Sequence, residues 1–350
     1  MTAGLELDPE AALQFVINGA AGSSGADSQR EVIEAALQAA GRRGELLFSR
    51  PAELARVAQA AATRAVATRT AVVAVGGDGT LNSVAQAAHA LGCAMGVVPQ
   101  GTFNYFARTH GIPADPAEAV QRLLGWTPLP VQVAAVNERV FLVNASLGLY
   151  PELLEDREAF KARFGRSRWV ALWAAGVTLL RAQRRLRLRI EQGASVRVVR
   201  TLTLFVGNNR LQLEQLGVQP QPQLHAGSGP PRPLEDGHIT AVMLRPIGTL
   251  SMIRLMLHGA MGTLGEAQSV ERFEFRHMVV SPTLTPGRRG VKVAFDGEVT
   301  RMRAPFEFRV LAKPLYLLKP GPPDTAPSTA PDTATGPAFD TAARPDGAGV

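Results

Sequence analysis

The chain has 350 residues, of which 46% are hydrophobic and 19% charged, a balance that is typical of a folded protein and excludes a disordered one. The net charge of +7 favours acidic partners, but phosphate-rich ligands, nucleic acid and anionic lipid all meet that description. The single cysteine, Cys93, excludes an intrachain disulfide and any metal site built on several cysteines.

The first third of the chain alternates short apolar runs with helix-forming stretches. Strands are predicted over residues 13–18 and 46–49. Helices are predicted over residues 28–40, with Ser28 as N-cap, and over residues 51–68, where a proline is tolerated in the first turn. The connection after the first strand is rich in glycine and serine, which marks it as a loop.

The most informative stretch is GGDGTLN at residues 76–82, between an apolar run at 71–75 and a helix-forming segment at 81–91. The apolar run predicts a buried strand, and the glycines allow a sharp turn and a close approach to a ligand. The positive end of the following helix favours an anion, whereas Asp78 suits a bound Mg²⁺ or a hydroxyl proton. The alternative is an ordinary tight turn with a solvated aspartate.

A third strand–loop unit follows, with a strand predicted over residues 95–98, a polar loop to residue 104 and a helix from about 115 to 125. Repeated strand–loop–helix units predict a parallel sheet with right-handed crossovers. The loops after parallel strands leave the sheet at one edge, so the loops after Asn18, Gly76 and Gly101 are expected to converge on one ligand.

Beyond Pro128 the pattern changes to short, often alternating apolar runs, which predict an antiparallel sheet or sandwich. Two helices are expected to interrupt it, over residues 152–185 and 250–264. We therefore expect three regions: an α/β nucleotide-binding domain at 10–128, a β-rich lipid-substrate domain at 129–320 whose last strand can return to the first domain, and a disordered tail at 321–350.

Targeting signals are not expected. The first ten residues carry no basic side chain, and the longest apolar run, 169–180, is too short to span a bilayer, so a cytoplasmic location is predicted. Arginines and a lysine precede Trp169 and Trp173, which suits contact with the inner membrane face, although the same tryptophans one turn apart also fit a buried core. Few aromatic residues alternate with the arginines, so nucleic acid is not an expected partner.

The motifs and their order resemble the diacylglycerol kinase catalytic family, in particular the soluble bacterial lipid kinases. The resemblance rests on GGDGTLN at 76–82, GVVPQGTFN at 96–104, LEDG at 234–237 and FDGE at 295–298. It implies an α/β N-terminal domain with a parallel sheet, an antiparallel β-sandwich second domain, and transfer of a phosphoryl group from ATP to a lipid hydroxyl, with ATP and Mg²⁺ as cofactors.

The resemblance also assigns roles to residues. Glu298 is expected to be the general base, with Asp296 and Asp78 supporting it, since proton removal from an alcohol needs a positioned carboxylate. Mg²⁺ is expected at Asp236, with the carbonyl groups of Pro233 and His238 contributing. The nucleotide is expected to contact the convergent loops through Asn18, Gly22, Ser49, Gly76, Gly77, Asp78, Gly79, Thr80, Leu81, Asn82, Gly101, Thr102 and Asn104.

Turn formation is the competing interpretation for the motifs at 234–237 and 295–298, because Asp-Gly is a common hairpin dipeptide.

Two departures from the family pattern concern the substrate rather than the fold. Tyr105 stands where many members have an aspartate, and Asn18 is followed by glycine instead of proline.

Two other functions remain open from sequence alone. An NAD kinase also uses GGDGT, but it is expected to carry a different glycine-rich loop after the second motif. The third function is a membrane-surface protein that binds nucleotide without catalysis, which Tyr105 leaves open because it replaces the aspartate of many family members. The acceptor lipid and the oligomeric state are not indicated by any pattern in the chain.

Overall fold

Three six-stranded sheets organise the part of the chain that the structure, a computed structural model, describes. Residues 1–320 form one compact unit, and residues 321–350 are a second unit. The described residues are 5–19, 23–101, 104–149, 151, 186–208, 237–244, 270–283 and 290–321, with residues 23–26 described by their backbone alone. The helices predicted at 152–185 and 250–264, the tryptophan segment and the tail beyond residue 321 lie outside these ranges.

The first sheet is mainly parallel. Its strands lie in the order β2-β1-β3-β4-β18-β5, and only β5 runs antiparallel to its neighbour. In chain order they are β1 (Leu13–Asn18), β2 (Gly44–Ser49), β3 (Ala71–Gly76), β4 (Ala94–Pro99), β5 (Thr127–Val131) and β18 (Leu315–Lys319). The final strand of the described chain thus pairs with β4 in this sheet, and residue 128 lies within β5.

Buried apolar residues explain the centre of this sheet. Every residue of β3 and β4 is buried, which is the burial expected of parallel strands covered on both faces. Five helices connect the strands: α1 (Ser23–Ala39), α2 (Leu54–Ala67), α3 (Asp78–Leu91), α4 (Tyr105–Thr109) and α5 (Pro116–Leu123). Helix α2 buries a row of alanines, Ala58, Ala61, Ala62 and Ala65, and its small side chains let it approach β1, β3 and α3 closely.

Two predicted helix starts were wrong. Helix α1 begins at Ser23, so Ser28 lies inside the helix and is not its N-cap. Helix α3 begins at Asp78 instead of Leu81, so five of the seven residues of the GGDGTLN motif are helical. A glycine and an aspartate are weak helix formers, and local propensity therefore placed the boundary too late.

The remaining two sheets are antiparallel and share one core. The second sheet has the order β10-β9-β14-β17-β6-β7 and the third β13-β12-β11-β8-β15-β16. Their strands are β6 (Ala134–Val136), β7 (Arg139–Phe141), β8 (Asn144–Gly148), β9 (Leu186–Gln192), β10 (Ser195–Thr201), β11 (Thr203–Gly207), β12 (Ile239–Leu244), β13 (Val270–Phe275), β14 (His277–Pro282), β15 (Val291–Phe295), β16 (Glu298–Met302) and β17 (Phe306–Val310).

Side chains from both antiparallel sheets meet in this core, among them Phe141, Leu147, Leu204 and Phe308. At one end Arg197 on β10 pairs with Glu271 on β13 and lies 4.2 Å from the ring centroid of Phe273, so these contacts join the two sheets there. The predicted fold class, an α/β domain with a parallel sheet plus an antiparallel sandwich, is confirmed. Among the described helices, none is both long and apolar enough to cross a membrane.

Candidate active site

The order of the first sheet places a crevice at the carboxyl ends of β1 and β3. The chain leaves β1 towards β2 on one side and leaves β3 towards β4 on the other side. The neighbouring strands β1 and β3 are therefore the switch point of the sheet. Open α/β sheets bind their ligands outside such a point because the loops diverge there. Asn18 and Gly76 end the two strands at this crevice.

The GGDGT segment forms the start of helix α3. Gly77 is the N-cap, and the first intrahelical bond runs from the Leu81 amide to the Gly77 carbonyl, 3.0 Å. The amides of Asp78, Gly79 and Thr80 precede that bond, and such amides are available to an anion. The structure therefore gives this motif the geometry of a phosphate site.

The loops after β3 and β4 touch each other through glycine. A Cβ atom placed on Gly101 would lie 3.3 Å from the Gly77 Cα atom and 2.8 Å from the Asn104 Oδ1 atom. Asn104 has a left-handed backbone (φ 48°) and its side chain accepts a 2.9 Å hydrogen bond from the Gly101 amide. A side chain at Gly101 would therefore crowd Asn104 and the Gly77 backbone, whereas a Cβ atom on Gly77 would lie in ordinary contact, 3.7 Å from the Gly101 Cα atom, so the close approach of the loops depends on Gly101. Thr102 lies outside the described residues.

The first two strands contribute less than the sequence predicted. Asn18 and Ser49 are register partners at the ends of β1 and β2, so they do lie side by side at the crevice edge. Ser49 is only 3% exposed, and its hydroxyl donates to the Arg50 carbonyl, 2.9 Å away. Its hydrogen is therefore used within its own turn. Gly22 lies outside the described residues.

Two of the predicted nucleotide contacts face the protein interior instead. Leu81 is 1% exposed in the core of the first domain, and its amide is already bonded to Gly77. Asn82 donates its amide hydrogens to the Val140 carbonyl (2.8 Å) and to the Asp296 carboxylate (2.7 Å). These contacts hold helix α3 in place and leave neither side chain available to a ligand.

Asp78 carries an unsatisfied carboxylate oxygen. Its Oδ1 atom is buried and has no hydrogen-bond partner in the described part of the chain. Burial, with a further contribution from the charge of Asp296, raises the pKa of Asp78 to about 6. A buried acceptor without a donor is unusual in a folded protein, and a bound cation would satisfy it.

A magnesium ion fits this position when it arrives with a nucleotide. Mg²⁺ commonly takes one or two protein carboxylates, with phosphate oxygens and water completing its shell. The described residues contain no group of three His, Cys, Asp or Glu side chains that could hold a metal by themselves. Asp78 together with phosphate groups would therefore form the site.

Asp296 is the most constrained carboxylate of the site. It is 3% exposed and accepts four hydrogen bonds, from the Asn82 side chain and from the amides of Leu142, Val143 and Asn144, at 2.7–3.0 Å. Burial raises the pKa of Asp296, and the four donors oppose that rise. Since every contact comes from a donor, the arrangement suits the ionised form, and no lone pair is left directed at the crevice.

The motif at residues 295–298 is both a hairpin turn and part of the site. Asp296 (φ 44°) and Gly297 (φ 88°) connect β15 to β16 as two residues with positive φ, the pattern of a tight hairpin turn. Because the chain reverses here, Asp296 is buried and Glu298 is exposed. The turn and site interpretations, which were alternatives in the sequence, are therefore compatible.

Glu298 reaches the first turn of helix α3. A Cβ atom built on Gly79 would lie 3.2 Å from the Glu298 Cδ atom and closer still to its Oε1 atom. The carboxylate of the second domain thus rests on the backbone of the first turn of helix α3. Gly79 is the residue that makes this approach possible.

Amide side chains form a network that the sequence did not reveal. Gln132 accepts from the Gly237 amide (3.0 Å) and donates to the His238 carbonyl (3.0 Å) and to Asn208 (2.9 Å). Asn208 donates to the Leu142 carbonyl, 3.1 Å away, next to the amides that hold Asp296. The turn at Gly237 is thereby linked to the Asp296 hairpin. Isolated Gln and Asn residues carry no sequence signal, because their partners are distant in the chain.

The predicted metal turn is only partly described, since Pro233 and Asp236 lie outside the described residues. The His238 carbonyl already accepts the bond from Gln132, and its ring nitrogen Nε2 lies 3.4 Å from the Arg276 Nε atom. A metal role for this turn stays a prediction.

Tyr105 begins helix α4 close to Asp78. Burial and the negative charge of Asp78 raise the pKa of Tyr105, while Arg108 opposes the rise. The phenol therefore remains neutral at the position where an aspartate was expected.

Comparison with known proteins identifies the family that these features resemble. Residues 12–136 match the model of the diacylglycerol kinase catalytic domain, which confirms the resemblance for that part of the chain. A protein named "Probable lipid kinase YegS-like" from Klebsiella pneumoniae (strain 342) is 38% identical over 98 residues, 27% of this chain and 33% of that protein. The diacylglycerol kinase of Bacillus subtilis (strain 168) is 32% identical over 146 residues, 39% of this chain and 47% of that protein. The alignments thus span one third to about half of these relatives.

Solved structures extend the similarity of fold across most of the chain. A diacylglycerol kinase from Bacillus anthracis str. Sterne superposes with a TM-score of 0.59 at 17% identity, covering 88% of this chain and 97% of that chain. A second chain from the same organism reaches a TM-score of 0.64 at 20% identity with the same coverage. At such identities the likeness concerns the fold alone.

Replacing Asp296 with Asn tests the hydrogen-bonded carboxylate. The amide would turn an NH₂ group towards N–H donors, so Asp296→Asn should lower the free energy of unfolding by about 2–4 kcal/mol in urea titrations. Asp115→Asn is the matched control, because Asp115 caps helix α5 through one bond to the Glu118 amide and asparagine caps equally well. Equal, small effects of both substitutions would contradict the role given to Asp296.

Replacing Asp78 with Asn tests the raised pKa. In the folded state Asp78 takes up a proton near pH 6, whereas in the unfolded chain it does so near pH 3.8. The ionised carboxylate therefore destabilises the fold fully above pH 6, and this destabilisation is lost as the pH falls towards 3.8. Without nucleotide, Asp78→Asn should therefore raise the free energy of unfolding at neutral pH by about 1–3 kcal/mol and flatten its dependence between these pH values. Destabilisation at neutral pH would contradict this account.

Proposed function

We propose, taking the match of residues 12–136 to the diacylglycerol kinase catalytic domain as the premise, that this chain is an ATP-dependent lipid kinase. The observation that carries the proposal is the position of the Glu298 carboxylate against Gly79, in the turn with the geometry of a phosphate site. A base from one domain and a phosphate-binding turn from the other are the two components that phosphoryl transfer to an alcohol requires.

In the proposed reaction the lipid hydroxyl oxygen attacks the γ-phosphorus of ATP while Glu298 takes its proton. The bond between the γ-phosphorus and the bridging oxygen breaks, and ADP leaves with that oxygen. The amides of Asp78, Gly79 and Thr80 would hold phosphate oxygens, and Asn82 and Asp296 would keep helix α3 and the hairpin of Glu298 in register. Positioning by a rigid framework supplies much of the rate enhancement in such reactions.

Mg²⁺, bound by Asp78 and the nucleotide, would neutralise charge on the phosphate groups. The unpartnered Oδ1 atom of Asp78 supports this assignment, because the carboxylate alone would repel a phosphate. Tyr105 would supply a hydrogen bond beside the metal instead of a second negative charge.

The acceptor is proposed to be a diacylglycerol-like lipid, in keeping with the names of the relatives. A panel of diacylglycerol, phosphatidylglycerol, a sphingoid base and a polyprenol, each dispersed in neutral detergent with radiolabelled ATP, would identify it. Labelled NADP formed from NAD would instead indicate an NAD kinase. Nucleotide binding without any transfer would indicate a non-catalytic protein.

Glu298→Gln should lower the transfer rate by about 10²–10⁴-fold, because a neutral amide cannot accept the hydroxyl proton. Nucleotide affinity, measured by calorimetry, should stay within about threefold, since the side chain is expected to act on the acceptor. Glu138→Gln is the matched control: Glu138 is an exposed glutamate at another hairpin turn of the second domain and should leave the rate unchanged. Retained turnover in Glu298→Gln would remove Glu298 from the base role.

Gly79→Ala should separate catalysis from stability. The added methyl group would displace the Glu298 carboxylate, and a shift of about 1 Å in a catalytic group can lower the rate by roughly 10²-fold. Alanine in place of glycine within a helix should meanwhile hold or raise the stability by up to about 1 kcal/mol, measured by thermal unfolding.

The double variant Gly79→Ala/Glu298→Gln provides the control. If the methyl group acts by displacing Glu298, it should change the rate much less when residue 298 is already glutamine. Independent, multiplicative effects of the two substitutions would show that Gly79 acts by another route.

A further inference from the structure

The outer face of the β9–β10 hairpin is unusual for its exposed valines. In the described part of the chain only four large hydrophobic side chains are exposed, and Val196 (53%) and Val198 (56%) are the most exposed of them. Both lie on β10, which is an edge strand among the described strands. Because they alternate with half-buried Arg197 and Val199, they share one face of the strand.

Arginines surround the two valines. The register places Val198 opposite Arg189 and Arg200 opposite Arg187, so all of these side chains belong to the same face of the sheet. Leu188 and Ile190 point the other way into the sandwich core. The hairpin surface, defined as Arg187, Arg189, Val196, Val198 and Arg200, therefore combines three cations with two apolar side chains.

The positive charge of this surface is only partly compensated. Glu191 lies on the same face but is 3.4 Å from Arg189, in an ion pair. On the adjoining strands Glu307 is bonded to both His277 and Arg309, at 2.9 and 2.7 Å. Among the described residues, Arg187 and Arg200 have no ion-pair partner, and they face each other directly across the two strands. Like charges in such a pair repel, and a bound anion would relieve the repulsion.

We propose that the hairpin surface docks on a membrane that contains anionic lipid. Guanidinium groups bind lipid phosphate groups, and exposed apolar side chains between them can enter the interface. A free anion would not need the valines, and a second copy of this chain would bring the same arginines into contact with one another. The inference supplies a partner for the proposed function, but it concerns binding alone and does not require catalysis.

Sedimentation of the full chain with vesicles tests this proposal. We expect binding to vesicles of phosphatidylcholine mixed with phosphatidylglycerol, weak binding to phosphatidylcholine alone, and a steep loss of binding with salt. Each arginine near an anionic surface contributes about fivefold to binding, so Arg187→Gln/Arg200→Gln should bind about 25-fold more weakly. Val196→Ser/Val198→Ser should also weaken binding, with little change in its salt dependence.

Matched controls remove the same groups elsewhere. Arg56→Gln/Arg139→Gln removes two exposed arginines, one on helix α2 and one on the opposite edge strand of the same sheet. Val66→Ser removes a valine that is 46% exposed on α2. Thermal unfolding of all variants would confirm that they are folded. Equal loss of binding in the control and hairpin variants, or no binding of the wild type to anionic vesicles, would overturn the proposal.

Two further measurements separate this inference from its alternatives. Light scattering tests whether the surface is instead an interface between copies of the chain. That would be so, and the proposal would be wrong, if the wild type is a dimer and Val196→Ser/Val198→Ser is a monomer with unchanged vesicle binding. Transfer to lipid in neutral detergent should be equal in the wild type and hairpin variants. Vesicle binding without any transfer would refute the proposed function alone, whereas transfer without vesicle binding would refute the docking surface alone.

Discussion

The hydrogen-bonded carboxylate of Asp296 is the constraint on which the rest of the site depends. It accepts bonds from helix α3 and from three successive amides of the second domain, so one buried charge fixes the two domains against each other. Two residues later the same hairpin delivers Glu298 to Gly79. Because a buried charge is tolerated only with its full set of partners, any movement of the hairpin away from helix α3 would be costly.

The different surroundings of the Asp296 and Asp78 carboxylates also explain why a bound cation would stabilise the site. Asp296 has four donors, whereas Asp78, whose pKa is raised by burial and further by the charge of Asp296, has a buried oxygen with none in the described chain. The first carboxylate stabilises the framework and the second weakens it, an effect that a bound cation would relieve. Such a division is common at functional sites, where stability is given up for a preformed binding position. The neutral phenol of Tyr105 fits this balance, because a third carboxylate would add repulsion.

Catalysis and membrane contact make different demands on the same chain. The site is built from buried polar groups, of which Asp296 has all its partners and Asp78 has an unpartnered oxygen in the described part of the chain, and its glycine backbones allow close approach. The hairpin surface is built from exposed arginines and valines, and of its arginines only Arg189 has an ion-pair partner among the described residues. Transfer to a lipid that lies in a bilayer would use both, since such an acceptor has to leave the bilayer to reach Glu298.

The sequence determined the features that depend on local pattern. Alternating apolar runs and helix formers gave the parallel sheet, and GGDGT after a buried strand gave the convergent glycine loops, because backbone preferences act over a few residues. Only the tertiary structure gave Asp296 its four donors, turned Asn82 inward, joined Gln132 to Asn208 and left Val196 and Val198 exposed. Each of these depends on partners far along the chain, 214 residues apart for Asn82 and Asp296, and no local pattern records such distances.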